Sequence, residues 1–318
     1  MTKIALVDPA LARLAPRFAE RLPPDVEVVA VRDFGDEELA RVAAGATVFV
    51  NARRPIDAAT LALAPQLRLI QAIGVGIDSV DRDAVAAAGV ALAYNPGVNS
   101  SGAAEHTIML MLALIKRLPT SERVTRAGRF APGEIIAEGI DDLADATVGI
   151  VGMGHIGRAV AERLAPFGST VVYHARRDDA DIEARVGARR LPLPELLRVS
   201  NIVTLHVPLT AETHHLLGAD ELAAMPRGSW LVNAGRGGLV DEAALRAAVL
   251  DGHLAGAALD VVESENTETN PFADVPNILV TPHVGGGSRN SMAGTVERST
   301  ANIRRLLAAE PLRDQVLP

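Results

Sequence analysis

The stretch Val148-Gly149-Ile150-Val151-Gly152-Met153-Gly154-His155-Ile156-Gly157 constrains the fold more than any other part of the chain. An apolar, β-branched run enters a turn of spacing G-x-G-x-x-G, and the residues that follow place Ala159, Val160, Ala161 and Leu164 on one side of a helix. Strand, turn and helix thus come in the order that a dinucleotide pyrophosphate requires. Gly152 serves the tight turn, Gly154 lets the backbone approach the phosphates, and Gly157 lets helix and strand pack closely. His155 and Ile156 open the helix, whose N-terminus offers unpaired N–H groups and a positive dipole end. The glycine spacing alone also serves ordinary turns; the strand-to-helix context is what makes it a cofactor signal.

On either side of this motif, short apolar runs alternate with Ala/Leu-rich helical stretches. Strands are expected at Ile4–Val7, Val26–Val31, Thr47–Val50, Leu69–Ala72 and Val90–Tyr94, with helices at Pro9–Leu22, Asp36–Ala44, Asp57–Leu63 and Asp81–Ala88. The acids Asp36, Asp57 and Asp81 suit N-caps or first turns, and Gly45 and Gly89 suit helix ends. A long helix is expected over Ala103–Leu118, and Arg123–Asp145 reads as an irregular arm. A second series follows, with strands near Thr147–Val151, Thr170–His174, Ile202–His206, Trp230–Asn233, Gly256–Asp260 and Ile278–Thr281, the number a full dinucleotide-binding sheet needs. Helices are expected at Ile156–Ala165, Leu193–Val199, Ala219–Met225 and Asp241–Asp251, and a last one at about Arg289–Ala309. The repeating βα order argues for α/β domains with doubly wound parallel sheets. The boundaries expected are residues 1–99 with 286–318 for a substrate (catalytic) domain and 100–285 for a dinucleotide-binding domain, with a ligand cleft between them.

Composition narrows the partners. At 318 residues, 48% hydrophobic and 22% charged, the chain can build two cores. A net charge of −8 and 3% aromatic residues suggest no nucleic-acid face. The apolar run Thr107–Ile115 is far short of the ~20 residues of a membrane span, and the N-terminus reads as a strand and not a secretory signal. The absence of cysteine excludes disulfides and thiolate chemistry and fits a cytoplasmic location. No metal is expected.

The second strand of the nucleotide series ends at Ala175-Arg176-Arg177, where an acid would normally hold the adenosine ribose of NAD. Two guanidinium groups without that acid can pair with a 2′-phosphate, so NADP(H) is expected over NAD(H); the plainer alternative is a pair of solvated arginines. Three further residues stand after later strands: Arg236 in a glycine setting, Glu265 five residues beyond Asp260, and His283 after Thr281-Pro282. A lone histidine is most often a structural hydrogen-bond partner and a lone Arg or Glu a surface charge. Their joint placement behind a dinucleotide motif favours chemistry. Reduction of a 2-keto acid needs a proton at the carbonyl oxygen as hydride reaches carbon, which a histidine can supply. A carboxylate such as Glu265 would orient the ring, and Arg236 can polarise the carbonyl and hold the substrate carboxylate. Arg53 and Arg54, after a first-domain strand, include a candidate substrate contact, with a solvated loop pair as the alternative.

With these motifs, Ile73-Gly74-Val75-Gly76-Ile77-Asp78, Asn95–Glu105, Asn233–Asp241, Leu259-Asp260-Val261 and Thr281-Pro282-His283, the chain resembles the D-isomer-specific 2-hydroxyacid dehydrogenase family over nearly its full length. That family includes glyoxylate and hydroxypyruvate reductases, D-lactate dehydrogenases and phosphoglycerate dehydrogenases. The resemblance implies a Rossmann domain inserted into a flavodoxin-like domain, and Arg236, Glu265 and His283 as the catalytic set. It implies that Val75 and Gly76 present N–H groups to the substrate carboxylate. His206, Val207 and Pro208 would line the adenine pocket, Ala234 and Gly235 would contact the cofactor by backbone, and Asp260 would meet the nicotinamide amide. A homodimer is also implied. Glyoxylate and hydroxypyruvate are the leading substrates, and Glu265 argues against formate dehydrogenases of the same fold, which carry glutamine there. The sequence departs from the family in lacking a proline after Glu265 and a tryptophan near Arg129-Phe130. The C-terminal-binding corepressors share this fold and these residues, so a nucleotide-sensing binding protein is the alternative, which the lack of basic patches and docking tails disfavours.

Overall fold

The computed structural model describes residues 2–265 and 269–316, which divide into two compact units, 1–99 with 289–318 and 100–288. In the first unit the strands β1 (Thr2–Leu6), β2 (Val26–Ala30), β3 (Val48–Asn51), β4 (Leu69–Ala72) and β5 (Ala91–Ala93) lie parallel in the order β5-β4-β3-β1-β2. A short C-terminal strand, Gln315–Val316, pairs antiparallel to β5. Both faces are covered. Ala5, Phe49 and Ile70 join one apolar cluster, while Ile4, Val48 and Leu69 join another with Val296 and Ile303 of the helix Arg289–Leu307. This alternation is the two-residue period of a strand buried on both sides.

The second unit holds seven parallel strands, β6 (Thr147–Val151), β7 (Thr170–His174), β8 (Arg189–Arg190), β9 (Ile202–Leu205), β10 (Ser229–Asn233), β11 (Leu254–Leu259) and β12 (Ile278–Val280). Their order is β12-β11-β10-β9-β6-β7-β8, so the winding reverses between β6 and β9. Ligands of such sheets bind outside the carboxyl ends at that reversal. Val148, Ile150, Tyr173 and Trp230 pack on one face against the helix Ser100–Ile115, and Val151, Val172, Leu205 and Leu231 pack on the other. Among the described residues no helix is long and apolar enough to cross a membrane.

Two expectations need correction. The nucleotide sheet gains a seventh strand, the two-residue edge β8, preceded by the helix Ala180–Val186 that Asp179 caps through the Ile182 N–H. Neither is long enough to show a period. The segment expected to be irregular is largely helical, at Leu118–Arg126 and Pro132–Ala137. Arg117, at φ 53°, breaks the preceding helix, and a proline sits in the first turn of each new one. Of the arm's helices the first buries only Val124 and the second no residue, so few apolar positions mark them in the sequence. Arg117 donates to the carbonyls of Glu138 and Gly139 and stacks 4.6 Å from the Trp230 ring, which ties the arm's two ends to the sheet unit.

Candidate active site

The glycine turn closes the end of β6. Gly152 has φ 102°, and a Cβ there would lie 2.5 Å from the His206 carbonyl oxygen. At Gly157 a Cβ would stand 2.0 Å from the Gly152 oxygen, whereas nothing lies within 4 Å of a Cβ at Gly154. The first and third glycines are therefore dictated by the chain's own packing, and the space above the second is open to a ligand. The helix His155–Leu164 begins there with no side-chain cap bond at Gly154, leaving its first N–H groups for an anion. His206 and Val207 flank Gly152. His206 bonds Thr204 through Nε2, its Nδ1 is buried without a partner, and burial pushes its imidazole down to about 4, although the residue as a whole keeps some surface. Pro208 is exposed, and its carbonyl accepts from the Thr213 hydroxyl at 2.7 Å. Open space over Gly154, uncapped N–H groups and an orphaned ring nitrogen fit a bound dinucleotide.

Beyond β7, Arg176 and Arg177 are exposed. The loop carrying them is anchored, because Arg190 donates to the Ala175 carbonyl at 2.9 Å and to Asp178 at 2.8 Å, while Arg158 forks onto Asp179. Both acids after the arginine pair are thus already matched by other arginines.

Arg236 follows β10 in extended conformation, half-buried. The Asn233 side chain holds this turn by donating to the Arg236 carbonyl at 2.8 Å and accepting from the Gly235 N–H at 3.0 Å, which also fixes Ala234 and Gly235. A Cβ at Gly237 would fall 2.1 Å from the Val262 carbonyl carbon. Only glycine lets the segment leading to Glu265 run against the turn that carries Arg236.

Glu265 and His283 meet at 2.8 Å between Oε2 and Nδ1, with side chains 22% and 28% exposed. The ring's other nitrogen, Nε2, is then the one left to face a substrate. His283 adopts φ 53°, held by its N–H to the Asp260 and Thr281 carbonyls at 2.8 Å and 2.9 Å. Asp260, only 2% exposed, completes this turn with its carboxylate. Oδ1 accepts from the Thr281 hydroxyl at 2.6 Å and the Val284 N–H at 3.0 Å, and Oδ2 accepts from the Gly285 N–H at 2.8 Å. His106 Nε2 lies 3.2 Å from the same Oδ1 and 3.0 Å from Thr281 Oγ1. His106 was not singled out in the sequence, where it stands 154 residues from Asp260 as the polar edge of an apolar helix, a position without local signal.

The remaining candidates belong to the first unit. Val75 and Gly76 are half-buried in the turn after β4, which is pinned by the Asn95 N–H to the Gly74 carbonyl at 3.0 Å. The Arg53 N–H bonds the buried Asp8 carboxylate at 2.8 Å. Arg54 is buried, and its guanidinium donates to the carbonyls of Val7, Asp33 and Phe34. Of the arginine pair, Arg54 is therefore a structural clamp.

Fold and site together define a two-domain α/β protein of the nicotinamide-dinucleotide type. Residues 108–285 match the family model described as D-isomer specific 2-hydroxyacid dehydrogenase, NAD binding domain. The chain belongs to the D-isomer specific 2-hydroxyacid dehydrogenase family. It is 38% identical to glyoxylate reductase of Aeropyrum pernix over 74% of this chain and 72% of that one. It is 35% identical to D-3-phosphoglycerate dehydrogenase of Mycobacterium tuberculosis over 96% of this chain, and spans 57% of that protein's length. Among solved structures it resembles D-lactate dehydrogenase of Aquifex aeolicus, complexed with NAD and lactic acid, at TM-score 0.85 and 26% identity over 96% of each chain.

Proposed function

We propose that the protein reduces a small 2-keto acid to the D-2-hydroxy acid, with NADPH preferred over NADH and glyoxylate or hydroxypyruvate as substrate. The observation that carries the reading is the 2.8 Å contact between Glu265 and His283 Nδ1, on a segment that runs against the Arg236 turn at Gly237. The dinucleotide, held over Gly152, Gly154 and Gly157 with His155 and Ile156 at the helix start, supplies hydride from its nicotinamide. His206, Val207 and Pro208 border the adenine end, Ala234 and Gly235 offer backbone groups, and Asp260 bears on the nicotinamide side. Glu265 accepts from the His283 Nδ1–H and holds the ring in place, so Nε2–H donates to the substrate oxygen as negative charge develops there. Arg236 stabilises that charge and binds the carboxylate. Val75, Gly76 and Arg53 are assigned to the substrate carboxylate and side chain.

NADP preference rests on Arg176 and Arg177, exposed on an anchored loop whose acids are paired elsewhere. The homodimer reading rests on the arm, where Phe130 is 91% and Ile136 65% exposed, a degree of apolar exposure that a partner subunit would relieve. The substrate assignment leans on the named relatives, which include a glyoxylate reductase.

The test is a turnover panel of glyoxylate, hydroxypyruvate, pyruvate and phosphohydroxypyruvate with each cofactor. The highest kcat/KM is expected with NADPH and one of the first two acids, and replacement of both Arg176 and Arg177 by Ala should lower kcat/KM with NADPH about 10-fold or more while sparing NADH. A clear NADH preference refutes the arginine reading; no cofactor oxidation with any acid refutes the enzyme reading.

A further inference from the structure

Beside the segment that carries Glu265, the second unit gathers a cluster that the proposed reduction does not use. His214, His215 and Glu263 each present one ligand atom, and these atoms all lie within 4.8 Å of one another. Adjacent residues usually point their side chains apart. Here His215 adopts φ 50°, and the two imidazoles stack with centroids 4.0 Å apart and planes 28° from parallel. A non-glycine residue in the left-handed region costs free energy, and such positions gather where function needs a particular side-chain direction.

The backbones that carry the three donors are fixed. The His214 N–H bonds the Thr210 carbonyl at 2.9 Å and the His215 N–H bonds Gly238 at 2.7 Å. Thr213 braces the same turn by donating to the Pro208 carbonyl at 2.7 Å and accepting from the Thr210 N–H at 2.8 Å. On the other side, the Glu263 N–H bonds the Glu242 carboxylate at 2.8 Å, and the Glu263 carboxylate meets His215 Nε2. Side chains of His215 and Glu263 are 38% and 36% exposed, so an ion can reach them.

We propose that His214, His215 and Glu263 form a binding site for one borderline divalent transition-metal ion, with zinc the expected occupant and solvent completing the coordination. Two imidazole nitrogens and one carboxylate oxygen are the donor types such ions take, whereas magnesium and calcium prefer oxygen alone. Donors at about 2.0–2.2 Å from zinc stand roughly 3.3 Å apart in a tetrahedron, a closure that rotation of these surface side chains supplies. Glu263 lies two residues before Glu265. The ion therefore staples the 210–216 turn to the segment that delivers Glu265, as a clasp outside the reaction.

The experiment titrates chelator-treated, tag-free protein with Co2+, read by its visible absorption, and with Zn2+, read by calorimetry and by the shift in Tm. One equivalent is expected to bind with low-micromolar affinity, Zn2+ displacing Co2+, and saturation should raise Tm. Each of His214→Ala, His215→Ala and Glu263→Gln should weaken binding about tenfold or more, with metal-free circular dichroism and cofactor-linked activity as in the parent protein. Lack of saturable binding overturns the site, as does binding that survives all three substitutions. These readouts do not depend on turnover, so they stand or fall apart from the reductase reading.

Discussion

His283 and His106 each meet a carboxylate, at 2.8 Å from Glu265 and 3.2 Å from Asp260, and the two pairs differ in everything around that contact. Glu265 and His283 keep about a quarter of their side-chain surface, and the ring has a nitrogen to spare. Asp260 keeps 2%, and its oxygens are taken by a hydroxyl, two backbone N–H groups and His106. A carboxylate saturated by fixed donors sets geometry, whereas one with access to solvent can accompany a change of charge. The second pair holds the turn that carries His283.

Substitutions can break that division, and the largest effect is expected at the pair proposed to react. His283→Ala should lower kcat about 1000-fold with little change in cofactor affinity, and Glu265→Gln about 100-fold; steady-state kinetics with the best keto acid checks both. Next comes the holding pair. Asp260→Asn leaves donors in the turn without a charged acceptor and should cost about 2–3 kcal/mol of stability in urea unfolding, with kcat falling as His283 is displaced. His106→Leu removes one of four contacts and should cost about 1 kcal/mol and less than tenfold in kcat. If His106→Leu matched His283→Ala in kcat while leaving stability alone, the holding role would be wrong.

The last effect is read through pH and not through activity, and it concerns His206, whose ring meets Thr204 and no acid among the described residues. Its folded-state value near 4 lies below the unfolded 6.5, so the unfolded chain binds more protons between these limits. Stability should fall as pH drops from about 6.5 towards 4, by roughly 2 kcal/mol given the ring's partial exposure. His206→Gln should flatten that part of the pH–stability curve; an unchanged slope would show that the buried ring does not govern it.

Much of this architecture is legible in the residues themselves. β4, β6, β7 and the helix Leu193–Val199 fall where periodicity puts them, and Asp57, Asp81 and Asp241 cap their helices through N–H groups three residues on. Local signals suffice there because strand burial and capping act within a few residues. The arm helices and the edge strand β8 escape notice because they bury too little to impose a pattern. Within the site, Glu265 and His283 stand out from their spacing to strand ends, yet nothing local connects His106 with Asp260 or separates Arg54, consumed by three carbonyls, from its neighbour Arg53. Contacts across 20 to 154 residues are written only in the packed fold.

The most direct test of the account is the product formed from hydroxypyruvate and NADPH, separated by chiral chromatography. D-glycerate in step with NADPH consumption is the predicted result; L-glycerate, or NADPH left unconsumed, would contradict it.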